Sequence, residues 1–309
     1  MLNEKKIFRR ATLATVITST YPMIVAGCYF GITPWNMNRL SMDESDFSFA
    51  ILLFGIFFII SNQIAGRMLV PKYGTKLIMS LAFPIVTFAT LLSVISPSYF
   101  YFLLSFIPLG IGWGASGPIG GIHSQLIEQH FKKIITPYYA MGFNIGILVG
   151  GALAGIIMRN NYEPYLSFFI LSFLSIFVSF FVYSFGLPRN LDFKGKGEKF
   201  KIPETNVLLF GLLLFFVFGS GGIIMDWSTL WLSKDLNTPL YLASMGLIFF
   251  SIGGIFANLF SNSLINLFSE KVIGCYFVMI GATIMFHALL TNNFYIILAV
   301  LSIYGFAVA

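Results

Sequence analysis

Asp226 is the one carboxylate of this chain that an apolar run comes close to enclosing. It follows the uncharged stretch Thr205–Met225 and opens the sequence Asp226-Trp227-Ser228. A carboxylate at the edge of hydrocarbon can bind and release a proton, or hold a cationic group of a solute. Ionisable groups are costly in such places, so they mark a path or a site. The position equally suits a structural task, capping an outer segment Trp227–Leu236. Every other Asp and Glu lies at or beyond the end of an apolar run.

Uncharged polar groups inside the apolar runs are the next candidates. Gly110, Gly112, Gly114, Gly117, Gly120 and Gly121 surround Trp113, Ser116 and Pro118. Glycines bare the backbone to a solute, and an indole face suits a sugar ring or a cation. Small residues also let helices pack closely. Asn144 brings an amide that needs partners when buried, and either solute hydroxyls or a neighbouring helix can supply them. Gly142, Gly146 and Gly150, with Gly151 and Gly155, make a stripe that reads as helix packing. Asn62 and Asn258 suit hydrogen bonds between helices, and Asn258 is also a candidate to meet a solute. His123 reads as an interfacial histidine, with a proton relay as its functional alternative.

No enzyme constellation is present. There is no Ser/His/Asp set, no His-x-x-x-His, no pair of intramembrane carboxylates and no phosphate loop at a strand–helix junction. No cofactor or metal is expected. Cys28 and Cys275 lie in apolar runs and imply no disulfide framework. Val25-Ala26-Gly27-Cys28 has the form of a lipid-accepting signal, yet Tyr29-Phe30-Gly31-Ile32 continues the apolar run, so the segment reads as an uncleaved first span.

The elements that hold these residues must be membrane helices. Hydrophobic residues make up 57% and charged residues 10%, with mean hydropathy +0.87, far from the roughly one-quarter charged composition of soluble domains. The predicted spans are Ala11–Thr33, Phe47–Leu69, Leu77–Ile95, Tyr99–Leu126, Ile134–Met158, Pro164–Leu187, Thr205–Met225, Pro239–Leu267, Val272–Leu290 and Phe294–Ala309. About 20 residues cross a bilayer, and backbone groups in lipid must be satisfied internally. Threaded with the N-terminus inside, these spans put 15 of the 18 basic residues on the inner side and only Arg39, Arg159 and Lys234 outside. That bias sets orientation and removes the nucleic-acid partner that a +6 charge suggests. Tyr99, Tyr101, Tyr162, Trp227 and Trp231 fall at outer boundaries, as an aromatic belt requires.

Pro188–Glu204 reads as a flexible basic linker. It divides the chain into a six-helix bundle, residues 1–187, and a second bundle, residues 205–309. Weak repetition joins the two. Trp35, Leu40 and Ser61-Asn62 compare with Trp231, Leu236 and Ser261-Asn262. The last span is short, so the C-terminal half is expected to be incomplete and the chain to be a truncated reading frame.

Six helices, a basic linker and a second set of helices resemble the major facilitator superfamily. Gly66-Arg67-Met68-Leu69-Val70-Pro71-Lys72-Tyr73-Gly74-Thr75-Lys76 looks like its signature between helices 2 and 3. It departs by lacking the usual acidic residue, with Pro71 near that place, and by one extra residue between glycines. The resemblance makes Gly66, Arg67, Lys72, Gly74 and Lys76 a gating loop. Gly222-Ile223-Ile224-Met225-Asp226-Trp227-Ser228 looks like the Asp-Trp-Ser stretch of the fucose-permease-like branch of bacterial inner-membrane proteins, which also tends to have a tryptophan where Trp35 stands. The resemblance implies an all-α integral membrane protein of about ten transmembrane helices, a monomer in the inner membrane with a cytoplasmic N-terminus. It implies a secondary transporter of a small polar solute, with sugars favoured, working by alternating access. Proton coupling is its default, and uniport stays open because no midplane carboxylate is present. It points to Trp35, Trp113, Ser116, Asn144, Asp226, Trp227 and Asn258 as solute contacts, and sets the Gly142–Gly155 stripe against Gly253, Gly254 and Ala257. A truncated non-transporting paralogue or membrane sensor is the alternative.

Overall fold

The computed structural model describes residues 2–193 and 204–309; most of the predicted linker, residues 194–203, lies outside them. The described residues are helical, without strands. The helices are α1 (Leu2–Leu40), α2 (Glu44–Ile64), α3 (Val70–Tyr73), α4 (Thr75–Ile95), α5 (Tyr99–Phe131), α6 (Thr136–Arg159), α7 (Pro164–Phe185), α8 (Thr205–Lys234), α9 (Leu240–Ala243), α10 (Met245–Val272), α11 (Val278–Ala288) and α12 (Phe294–Val308). Single π-helical turns, Ala65–Leu69 and Ile273–Phe277, follow α2 and α10. Among the described residues eight helices are long and apolar enough to cross a membrane, nine if the bent pair Ser263–Ser269 and Ile273–Ala288 is one span; α12 is a shorter apolar helix.

Local signals set several boundaries. Asp43 and Asp46 form a reciprocal capping box at the start of α2, with Asp46 N–H donating to Asp43 Oδ1 at 2.8 Å. Asn293 accepts from two N–H groups at the start of α12. Lys132, at φ +55°, ends α5 in the left-handed conformation. Several predicted boundaries are overrun: α1 extends beyond Ala11–Thr33 at both ends and α5 runs past Leu126 to Phe131. α8 does not stop at Met225 but continues to Lys234, because Asp226-Trp227-Ser228 contains neither proline nor glycine to break it.

The chain divides into two compact units, Met1–Ala26, Trp35–Gly146 and Glu163–Glu198 in the first, and Gly27–Pro34, Ile147–Tyr162 and Lys199–Ala309 in the second. In the first, Phe83, Met79, Ile119, Val182 and Ala14 centre a core. Lipid is as apolar as leucine, so helices associate through close packing and hydrogen bonds more than through hydrophobic drive. The α4–α7 seam follows that rule. Thr87 Oγ1 donates to Ser175 Oγ at 2.8 Å, Ser172 Oγ to Thr87 O at 2.9 Å and Ser179 Oγ to Ser80 O at 2.6 Å. On the α2–α5 seam Ser61 Oγ donates to Ile111 O at 2.7 Å. Asn62 makes no hydrogen bond among the described residues, so Ser61 performs the interhelical task expected of it.

In the second unit, Leu301, Ile297, Leu298, Tyr304, Phe250 and Leu232 form the core. The Gly151–Gly155 part of the α6 stripe meets Tyr241 O, Ser244 and Leu247, at and before the start of α10. Gly253 packs instead on Ser302 O and Phe306 N of α12, so it does not answer the α6 stripe. The reason is steric, since Gly253 faces the backbone of α12 with no room for a side chain.

One contact recurs in both units. A Cβ on Gly110 of α5 would lie 2.5 Å from Phe54 O of α2, and one on Gly305 of α12 would run into Phe250 O of α10. Phe250 follows Phe54 by 196 positions, as Trp231 follows Trp35 and Asn258 follows Asn62. This register pairs Asn62 with Asn258; the Ser61-Asn62 to Ser261-Asn262 match is four residues out of step. Among the described residues Ser261 accordingly bonds only to Asn258 O on its own helix, unlike Ser61.

Candidate functional site

Four of the expected solute contacts lie in the first unit. Ridges of α2 fill the space beside Gly110 and Gly114 of α5, Val86 of α4 sits against Gly112, and Tyr139 and Thr18 sit against Gly120. These glycines are packing residues. Gly117 and Gly121 differ, for a Cβ on either would meet nothing within 4 Å. Both lie at four-residue steps from Trp113, hence on its face of the helix, and all three are half-buried. Trp113 has no hydrogen-bond partner among the described residues. Its face of α5 therefore presents an indole and two lengths of bare backbone. Tyr139 OH of α6 reaches the same face, donating to Gly117 O at 2.9 Å.

Ser116 is buried and makes one long contact, 3.5 Å, with Trp113 O. Asn144 of α6 is 7% exposed, and its one hydrogen bond among the described residues runs from Nδ2 to Ala140 O of its own helix at 3.4 Å. Its amide oxygen is uncommitted to protein. Trp35 stands apart, in the last turns of α1. Arg39 lies over its ring at 5.4 Å and ties this end of the helix to the loop before α5, donating to Ser96 O at 2.5 Å and to Asn36 Oδ1 at 2.8 Å.

The other three candidates lie in the second unit. Asp226 is half-buried and has no hydrogen bond or ion pair among the described residues. It sits inside a continuous helix, so it is not the cap of a new segment. It lies 21 positions beyond Thr205, roughly 32 Å along the axis at 1.5 Å per residue, which is the far boundary of a core about 30 Å thick. Trp227 is half-buried beside it. Two residues on, Ser228 and Thr229 are fully buried with hydroxyls that meet no partner. Asn258 of α10 returns its Nδ2 to Gly254 O at 2.8 Å, within its own helix rather than across helices.

His123 is not interfacial. It is fully buried, accepts from Leu187 N–H at Nε2 (3.1 Å) and meets Thr15 Oγ1 at Nδ1 (2.9 Å). Thr15 Oγ1 also bonds to Ala11 O. A backbone N–H can only donate, so the ring is neutral with its proton on Nδ1. Both nitrogens are thereby occupied, which leaves no place in a relay. In the turn after α2, Gly74 has φ +86°, Lys72 Nζ lies over Tyr73 and Lys76 Nζ over Tyr183, while a Cβ on Gly66 would meet open space. Arg67 is half-buried in the π-helical turn. Sequence reasoning missed Tyr139 and the segment Leu187–Phe193, the latter because its partners lie from 64 to 118 residues away. No group of three metal-ligating side chains occurs among the described residues.

The family profile described as Major Facilitator Superfamily matches residues 8–309. An uncharacterized MFS-type transporter of Yersinia pestis is 20% identical over 258 residues, a match that covers 82% of this chain and 64% of that protein. Among solved structures, the D-xylose-proton symporter superposes with a TM-score of 0.70 at 15% identity, over 98% of this chain and 79% of that one. The nucleoside transporter NupG gives 0.65 at 14% identity, over 96% and 78%. A bacterial homolog of the human lysosomal transporter Spinster, in an inward-facing and occupied conformation, gives 0.66 at 16%, over 96% and 71%. The likeness is one of fold, in a multi-pass helical membrane protein.

Proposed function

Because the chain belongs to the major facilitator superfamily, we propose that it serves as a secondary transporter of a small, uncharged, polar solute, a monosaccharide or nucleoside, by alternating access. The observation that carries this reading is the Trp113–Gly117–Gly121 face of α5. An indole offers a stacking surface to a sugar or base, and the two glycines without side chains leave room beside it. Asn144 adds an uncommitted amide oxygen, and Ser116 a hydroxyl. The named sugar and nucleoside transporters among the fold neighbours agree with this solute class. Apart from Arg67 near the end of Phe47–Leu69, the apolar runs hold no lysine or arginine of the kind an anionic solute meets.

In this reading Trp35, Asp226 and Trp227 act at the outer mouth, where a carboxylate accepts from solute hydroxyls, and Asn258 contributes from the second bundle. Residues 1–187 and 205–309 are the two bundles, joined by the linker at 188–204, and Gly66–Lys76 is a gating turn. The protein sits in the inner membrane, as a monomer with its N-terminus in the cytoplasm, coupled to protons as the xylose symporter's name states for that protein. Its branch is the fucose-permease-like one.

The test is uptake of radiolabelled D-xylose, other neutral monosaccharides and uridine into vesicles carrying the protein. Saturable uptake of at least one, collapsing with a protonophore and falling at least tenfold in Trp113→Ala, is the expected result. Uptake no greater than in empty vesicles across the whole panel would overturn the reading.

A further inference from the structure

The Gly66–Lys76 turn has no carboxylate of its own, yet a carboxylate is seated on it. Asp192, from the segment after α7, is only 3% exposed. Its Oδ1 accepts from Thr75 N–H at 3.1 Å, from Thr75 Oγ1 at 2.7 Å and from Phe193 N–H at 2.7 Å. Thr75 is the first residue of α4, and no side chain of the residue before it caps the helix. The carboxylate thus satisfies an otherwise orphaned N–H and places negative charge at the positive end of the helix dipole. Arg189 donates through Nη2 to Pro71 O at 3.2 Å and Lys72 O at 3.1 Å. Gly74 makes room for both, since a Cβ there would collide with Asp192 Oδ2 and lie 2.6 Å from Arg189 Nη1. At the other end of the segment, Leu187 donates its N–H to His123 and packs in a cluster with Ala11, Ile127 and Ile135.

We propose that Leu187–Phe193 is a strap fastening the start of the linker to the turn and to α5, and that Asp192 is its positioning residue. It supplies, from 117 residues away in the same chain, the carboxylate that the turn lacks. The strap fixes where the chain leaves the first unit, beside the first residue of α4 rather than at the end of α7. The inference stands on these hydrogen bonds and holds whatever solute the protein carries.

Thiol accessibility tests it in the full chain. The reporter is Ala11→Cys, shielded beneath Leu187, in a Cys275→Ser background. Native Cys28, fully buried in α1, reports global opening. With N-ethylmaleimide, Asp192→Ala and Gly74→Ala are expected to speed labelling of the reporter at least tenfold while Cys28 stays protected. Asp192→Asn, whose amide oxygen still accepts from Thr75, is expected to stay within about threefold of the parent. An unchanged reporter in both disrupting variants overturns the strap. If those variants also open Cys28, the milder Thr75→Val and Arg189→Ala are read the same way. Equal opening of both sites in every variant would make the segment ordinary core and likewise overturn the proposal.

Discussion

Gly114 and Gly117 are three residues apart on α5 and should answer an added methyl group in opposite ways. Alanine improves helix propensity over glycine by about 1 kcal/mol at either position. At Gly114 the new Cβ runs into Phe58 O and lies 3.0 Å from Ser61 Cβ, and backbone cannot yield as a side chain can. Overpacking there costs about 1–3 kcal/mol and outweighs the gain. Gly114→Ala is therefore expected to lower the melting midpoint of the purified protein by several degrees. Gly117→Ala meets open space and is expected to hold or raise it while weakening solute uptake. Equal melting of the two would remove the distinction between packed and open glycines. For Asp226 the absence of any partner among the described residues means that asparagine breaks nothing structural. At the mouth, in reach of water that screens charge, Asp226→Asn is expected to raise KM threefold to tenfold with Vmax kept. Loss of proton-driven accumulation with solute exchange intact would instead make Asp226 the coupling group.

At the scale of elements, the α4–α7 seam shows how such helices adhere. Thr87, Ser172 and Ser175 exchange hydroxyl bonds across it and are all fully buried. Thr87→Val keeps the shape and removes one interhelical bond. Hydrogen bonds inside membrane proteins are worth about 0.6 kcal/mol on average and under about 2 kcal/mol, so the expected loss is a melting shift of a few degrees. A shift above about ten degrees would mean that the seam carries more than this bond. The helices themselves were legible because lipid demands long uncharged runs, and the turn at Gly74 because the Gly66–Lys76 signature marks it; the caps at Asp43 and Asn293 emerged only from the structure. The contacts were not. Nothing in the spacing of the α5 glycines separates packed Gly114 from open Gly117, since that depends on where α2 diverges from α5. The end of α8 was misplaced because one charged residue reads as a boundary, although a helix continues past an interface as readily as it crosses one. His123 looked interfacial because its two partners, Thr15 and Leu187 N–H, lie 108 and 64 residues away in sequence.

At the scale of the molecule, two predictions draw on charge and on repetition. We propose that the 15-to-3 distribution of basic residues orients the chain with its N-terminus inside, so single cysteines at Met42 and Gly197 are expected to label from opposite faces of sealed vesicles; labelling of both from one face would sink that threading. The repetition argues from packing. α2 crosses α5 with its backbone touching Gly110 and Gly114, and α10 crosses α12 with its backbone touching Gly305 while Gly253 receives α12 in return. Each crossing brings the same backbone position, Phe54 O or Phe250 O, onto a glycine of the later helix, Gly110 or Gly305, within one residue of the 196-position register. Two bundles descended from one six-helix unit would preserve the distance between helix axes, and with it the helix that gives up its side chain. If so, Gly110→Ala and Gly305→Ala should disturb their own crossings by comparable amounts, and relief should come from the partner side. Shortening Phe57, whose Cβ lies 3.0 Å from the Cβ added at Gly110, should restore part of the stability lost in Gly110→Ala and nothing of that lost in Gly305→Ala. Rescue of both by Phe57→Ala would mean that the two crossings are not separate packing events, and the parallel between the units would lose its physical basis.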